Sequence, residues 1–435
     1  MNKHHERDVR KWSLARFSMR SLLMAMLIAA VLFAWFGWRY RRAQRQAPAV
    51  AVLRELGANV VYDFDGSHVV AVGRSKKVVA NSSPYPAWLV DRLGIDFFHD
   101  VTKIHCESSR KLTDENVRRF WLAVGDLPDV VDLEASGGVT RPGCLAPLAG
   151  HRKLRTLALR WADLGTSDFE VLARLEGIEE LNLSETPITD ADLALIGRIE
   201  PLQRLDLHHT KITDAGMKEL AGLPNLEQLW LSGTTIGDEG IALLRGHPKL
   251  WDLDLCHTKI TDKSLVHVAA IPQLAELDLA MTTVTDRGLV HLEGHATLAY
   301  LNLESTAIAG EGLAHLKRLP NLRELCLGSR SRGTEISLAG LTRCRQLQRL
   351  KVNGQVNLSE LAQLDLPRVI EVGFGGEMIT EEMLLALAET DNIKAIYYDL
   401  FGIPPAAVQQ FRQMQPQCEL KMLTAPLHRG LRSRP

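Results

Sequence analysis

The chain has 435 residues, with 51 Lys+Arg against 52 Asp+Glu, a length that by size alone would allow two or three domains. The even balance hides an asymmetry: residues 1–50 hold ten Lys/Arg and two acids, which leaves 41 basic and 50 acidic residues, a net of −9, for the rest. An acidic body without clustered Lys/Arg is not the composition of a nucleic-acid binder, and six cysteines with no closely spaced pair (Cys106, Cys144, Cys256, Cys326, Cys344, Cys418) suggest neither a zinc site nor a disulfide framework.

Residues 1–20 form a basic tail. Residues 22–38 are an apolar run of 17 residues without a charge, bounded by Arg20 before and by Arg39, Arg41, Arg42 and Arg45 after. At about 1.5 Å per residue the run spans roughly 26 Å, near the short end for a membrane helix. Trp35, Trp38 and Tyr40 stand at one end, where interfacial aromatics are expected. Residues 21–40 therefore read as a single-pass transmembrane anchor. A cleaved signal peptide competes with this reading, but the arginines after the run disfavour export and cleavage. Six Lys/Arg precede the run and four follow closely, which leans toward an internal N-terminus and an extracytoplasmic body.

Residues 41–98 read as a linker and N-terminal cap. A short helix is expected over 43–56, then two strands, NVVY and HVVAVGRSKKVV, around an Asp65-Gly66 turn. Trp88, Leu89, Leu93, Phe97 and Phe98 follow as a helix-like apolar cluster. Residues 99–423 form the repeat body, and 424–435 a second basic tail.

The body repeats one pattern with a period of 24: Leu157, Leu181, Leu205, Leu229, Leu253, Leu277, Leu301 and Leu325 are its anchors, regular over about 130–328. Each copy opens L-x-x-L-x-L, whose last two leucines have the period of a strand. Five residues after the anchor a threonine recurs (Thr186, Thr210, Thr234, Thr258, Thr282, Thr306), placed to satisfy backbone groups as the chain leaves the strand. An apolar residue follows, then Thr-Asp in four copies, read as a helix N-cap with an aspartate at the positive end of the helix. Apolar pairs at i, i+3 such as Met217 and Leu220 give a helix face, and Pro224, Pro248, Pro272 and Pro320 end it. Less regular copies are anchored at Ile104 and Leu133 before the clean stretch, and at Leu350, Val372, Ile396 and Leu420 after it. Residues 329–335, SRSRGTE, read as an inserted loop.

A strand, a turn and a short helix per copy, each copy burying its apolar face against its neighbours, make an α/β solenoid. L-x-x-L-x-L followed by T-x-I-T-D-x-G-L resembles a leucine-rich repeat, similar to the ribonuclease-inhibitor-like and F-box-associated kinds, with threonine where an asparagine is usual. The resemblance covers about three quarters of the chain. It implies a curved parallel sheet inside and helices outside, and it says little about function. RFSMRSLLMAML, LRELGANVVYDFDG and PAWLVDRLGIDFF resemble the leader and pre-repeat segment of bacterial membrane-anchored leucine-rich repeat proteins, which supports an anchor.

On the concave face of such a horseshoe lie the residues that alternate with the core leucines. From 180 to 328 the three positions per repeat give 21 residues, of which eight are acidic and one is Arg. Asp206, Asp252, Asp254, Glu276, Asp278 and Glu304, with the aromatics Trp230, Trp251 and Tyr300, are the candidate partner-binding residues, and they suit a protein partner with a basic or polar surface. His208 and Cys256 share one strand position two repeats apart, about 10 Å between backbones, which is too far for a nucleophile and its base. His267, His291 and His315 recur on the helical side without the convergence a zinc ion requires. No phosphate loop, G-x-S-x-G or H-E-x-x-H occurs. The expected function is a membrane-anchored, non-enzymatic interaction scaffold without a cofactor. The alternatives are an adaptor that selects substrates for another enzyme and a passive envelope component.

Overall fold

The structure is a computed structural model that describes residues 19–63, 85–108, 112–329, 335–353, 360, 364, 371–375, 381–388, 395–398 and 405–422. Residues 1–18 of the first basic tail, the whole second tail, the expected second strand of the cap and the interior of the expected loop at 329–335 lie outside the described residues.

One sheet of fifteen strands runs in chain order. Its strands are β1 (Asn59–Tyr62), β2 (Val101–Ser108), β3 (Asp132–Gly137), β4 (Thr156–Ala158), β5 (Glu180–Asn182), β6 (Arg204–Asp206), β7 (Gln228–Trp230), β8 (Asp252–Asp254), β9 (Glu276–Asp278), β10 (Tyr300–Thr306), β11 (Glu324–Ser329), β12 (Arg349–Asn353), β13 (Glu371–Gly375), β14 (Ala395–Tyr398) and β15 (Glu419–Met422). β1 is antiparallel to β2, and every later pair is parallel. The anchors pair in register from Ile104 and Leu133 through Leu325, Leu350, Val372 and Ile396 to Leu420. Unequal steps in sequence therefore add or remove residues between strands without shifting the register.

Short helical segments return the chain on the other side of the core. They are α-helical from Thr166–Leu172 to Asp262–Val268 and 3-10 at Gly288–Leu292 and Glu311–Arg318. Strands stack about 4.8 Å apart, and helices need about 10 Å across. Packing one helical segment per strand therefore bends the stack toward the sheet. The anchor leucines and their helical counterparts, Leu229, Leu231, Ile236, Ile241 and Leu244 among them, are fully buried in one continuous core.

Two side-chain ladders run through the repeats. In the first, Thr186, Thr210, Thr234, Thr258, Thr282 and Thr306 each donate from Oγ1 to the carbonyl three residues back, at 2.5–2.7 Å. This is the role expected for them. The second joins consecutive repeats. Asp190 accepts from the N–H of Thr213 at 2.8 Å and from its hydroxyl at 2.6 Å. Asp238 does the same for Thr261, and Asp262 for Thr285. The aspartate at this position, preceded by Thr in two of these copies and by Gly237 in the third, thus reaches into the following copy instead of serving only its own helix. The glycine two residues after it is explained by the same ladder, because a Cβ on Gly216 would lie 2.6 Å from Asp190 Oδ1, and one on Gly288 2.5 Å from Asp262 Oδ1.

The N-terminal end is closed by α1 (Met19–Glu55), α2 (Ala87–Leu93), α3 (Ile95–Phe98) and α4 (Asp114–Gly125). α1 is one helix of 37 residues with Pro48 inside it. A separate short helix over 43–56 is not formed, because Ala43, Gln46, Ala49, Val50 and Leu53 continue one helical stripe that is buried on the cap. The 29-residue step from Ile104 to Leu133 holds α4, whose Phe120 and Trp121 are fully buried. Among the described residues, α1 is the one helix long and apolar enough to cross a membrane, and its most apolar window is entirely unburied.

Candidate functional site

The sheet face carries hydrogen bonds from repeat to repeat. At the position after each anchor, Asn182, Asp206, Asp254, Asp278 and Asn302 accept with Oδ1 from the N–H two residues on, at 2.9–3.0 Å. This local bond satisfies the backbone where each strand ends. Asn182 Nδ2 then donates to Asp206 at 2.8 Å, and Asn302 Nδ2 donates to Asp278 at 2.9 Å.

His208 links β6 to β8 across the intervening β7. Its Nδ1 lies 2.6 Å from Asp206 on β6, and its Nε2 lies 3.3 Å from Asp254 on β8, two repeats away. Burial lowers the pKa of this imidazole, but hydrogen bonds and charge from the two aspartates outweigh that and push it up to about 10. At neutral pH it is an imidazolium between two carboxylates. An imidazole offers two nitrogens, so His208 can reach Asp254 two repeats away as well as Asp206 on its own. Sequence reasoning missed this, and the signal available was a histidine two residues after an aspartate.

Asp252 accepts from Gln228 Nε2 at 2.9 Å and from the Trp230 indole N–H at 3.1 Å. Asp252, Asp254 and Asp278 are buried, whereas Asp206, Trp230, Glu276, Tyr300 and Glu304 are half-buried on the face. Trp251 is placed differently. It precedes β8, shares strand parity with the core residue Leu253, and buries an indole N–H without a hydrogen-bond partner among the described residues. The nine candidates thus divide into buried aspartates that brace the sheet, half-buried residues on its face, and one tryptophan off it.

The acidic stripe is offset by cations from the same and flanking strands. Arg204 pairs with Glu180 at 2.5 Å, Lys351 with Glu304 at 2.8 Å, and Arg349 with Glu324 at 3.4 Å. Toward the N-terminal end, His105, Glu107 and Glu134 bring possible ligand atoms within 4.8 Å of one another. There Arg160 lies 2.5 Å from Glu134 and 3.6 Å from Glu107, which offsets the charge of the two carboxylates.

A further row borders the face. Trp161, Glu185, His209, Gly233, His257, Met281 and Ser305, four residues after each anchor, all have left-handed backbone with φ between 53° and 71°. From Trp161 through Met281 each donates its N–H to the next repeat, as His209 does to the Ser232 carbonyl at 2.7 Å. Trp161 and Met281 are exposed in this row.

A family described as "Leucine Rich repeat" matches residues 200–221 and 222–244, two successive copies of the period. The chain is a leucine-rich repeat protein. Repeat arrays of this class commonly mediate contacts between proteins and are typically non-enzymatic. No curated protein matches this leucine-rich repeat protein. Among solved structures it is similar to an internalin from Listeria monocytogenes, with 19% identity, 74% of this chain and 87% of that one covered, and a TM-score of 0.48. A Leptospira interrogans leucine-rich repeat protein has 18% identity over 72% and 92% of the chains, with a TM-score of 0.35. A plant peptide hormone receptor, RGFR1, in complex with RGF2 has 14% identity and a TM-score of 0.37 over 69% of this chain and 53% of that one.

Proposed function

We propose that this leucine-rich repeat protein is a membrane-anchored scaffold that holds a protein partner on its sheet face. The observation that carries the reading is a wide face of short parallel strands with braced polar groups, on which Trp230 and Tyr300 are half-buried and Trp161 and Met281 are exposed at the rim. Aromatic anchors within a pre-ordered polar surface suit protein recognition. The anchor is residues 22–38 of α1, with the repeats on the extracytoplasmic side. Its support is an unburied apolar stretch that continues, within one helix, into the buried cap.

The partner surface is centred on Trp230, Glu276, Tyr300 and Glu304, with Asp206 beside them. The partner presents basic or polar groups to Glu276 and the rim, while the buried Asp252, Asp254 and Asp278 keep the face in shape. The test is capture from detergent-solubilised membranes by the full chain, beside a triple variant Trp230→Ala, Glu276→Lys, Tyr300→Ala. A helix-side variant, Val266→Ala, serves as control, because Val266 is exposed. A discrete protein held by the wild type and the control and lost from the triple variant supports the reading. Equal recovery by all three folded baits refutes it.

A further inference from the structure

The cap at the N-terminal end has an exposed aromatic face beside the point where α1 leaves its apolar run. Residues 22–38 span roughly 26 Å against a hydrocarbon layer of about 30 Å. The last turn, Trp35 to Trp38, must therefore lie at the boundary of the apolar layer for the run to span it. Protein is already packed at that turn. The Phe97 ring of α3 lies 4.9 Å from Phe36 and 6.3 Å from Trp35, and 5.0 Å from Phe98. Phe97 and Phe98 join Ala43 and Val90 in a small core that fastens α2 and α3 to α1. Arg39 and Arg42 follow the run and both pair with Asp100, at 2.8 and 2.9 Å, so the junction is braced by charge as well.

We propose that α2 and α3 form an interfacial membrane element, with Trp88 seated in the headgroup layer of a phospholipid bilayer. This rests on the anchor reading of α1 and adds to it the depth and the orientation of the solenoid. Because α3 packs at the depth of Trp35 and Phe36, the cap enters the interface. α2 presents Trp88 there. Trp88 lies two residues from the buried Val90, hence on the opposite side of the helix, and is 68% exposed. Tyr85, one turn earlier, is also exposed, and its ring lies 4.6 Å from Phe98. Indole and phenol rings favour the interface because one end is apolar and the other hydrogen-bonds. With α1 continuous through Glu55, the repeats are held at a set attitude to the bilayer instead of on a tether.

The experiment places an environment-sensitive fluorophore on the full chain in phosphatidylcholine vesicles at three positions in turn: Trp88→Cys, Leu32→Cys within the apolar run, and Val266→Cys on the helical side. The labelled wild type gives the background from its own cysteines. Depth is read with lipids that carry a quencher either near the headgroup or deep in the acyl chain. The label at 32 is expected to be quenched most by the deep lipid. The label at 88 is expected to emit to the blue of that at 266 and to be quenched at least twofold more by the shallow lipid than by the deep one. A label at 88 that behaves like that at 266, while 32 is deep, overturns the interfacial element and leaves the anchor standing. A label at 32 that no lipid quenches overturns the anchor and this proposal with it. Trp88 is a surface residue, so its replacement leaves the fold available for the reading.

Discussion

His208 holds together two carboxylates that would otherwise repel across one intervening strand. Its pKa is pushed up to about 10 in the folded protein against about 6.5 for a free histidine. Its stabilisation is complete below about pH 6.5 and fades as pH rises through 10. His208→Ala is expected to cost about 2–4 kcal/mol near pH 6, because Asp206 and Asp254 lose their cation. The gap between the urea midpoints of wild type and variant should shrink by at least half near pH 10. A gap that stays constant with pH would show that His208 acts through packing alone. Two other histidines, His247 and His295, have the opposite sign. His151, His247 and His295 occupy one helix-exit position, and each bonds through Nε2 to a carbonyl of the preceding repeat, at 3.2, 2.9 and 3.0 Å. Their Nδ1 atoms are buried without a hydrogen-bond partner among the described residues. Burial lowers the pKa of His247 and His295, so stability is full above about pH 6.5 and falls as pH drops toward their folded values. Neighbouring repeats use Leu223 and Ile271 at this position. His247→Leu with His295→Leu should therefore flatten the acid limb of stability against pH. A limb as steep as that of the wild type would assign it to carboxylates instead.

At the scale of the repeat, the T-D ladder makes each copy depend on the one before it. Asp238 lies under the Thr261 N–H and hydroxyl and the Ser264 hydroxyl. Burial raises its pKa, but these bonds outweigh that and leave it below the ordinary carboxylate value. Asp238→Ala is expected to lower stability by about 1–3 kcal/mol near pH 7, and by less as pH falls through the folded pKa. Gly216→Ala should cost a similar amount by overpacking against Asp190. Thermal midpoints of the two variants check both statements, and midpoints equal to that of the wild type would remove the ladder from the account. The strand anchors and the Thr ladder were legible because each has a fixed residue type at a fixed spacing, and even the irregular anchors Leu350, Val372 and Ile396 fell in register. The Asp ladder was not legible, since its partner lies 23 residues on and the local helix-cap explanation was sufficient. The left-handed row was hidden for another reason. Tryptophan, glutamate, histidine, methionine and serine share it, and only Gly233 is a residue type that signals such a backbone.

At the scale of the molecule, the stripe that counts as acidic in sequence is a braced surface in space. Its buried aspartates serve hydrogen bonds, and cations such as Arg204 and Lys351 stand beside its glutamates. Sequence parity identified the positions on the face but not which carboxylates are already occupied, because the partners come from other repeats. It also separated the apolar helix from a short polar helix near residue 40, where the chain turns polar, while α1 runs unbroken through Glu55 because one buried stripe persists. The account's central claim is that recognition takes place on the sheet face of a membrane-held solenoid. The most direct measurement is photo-crosslinking in native membranes from a reactive group at position 230, compared with one at position 266. The account predicts a discrete protein adduct from 230 and none of that size from 266. The same adducts from both positions, or none from 230 with the protein folded and in the membrane, would contradict it.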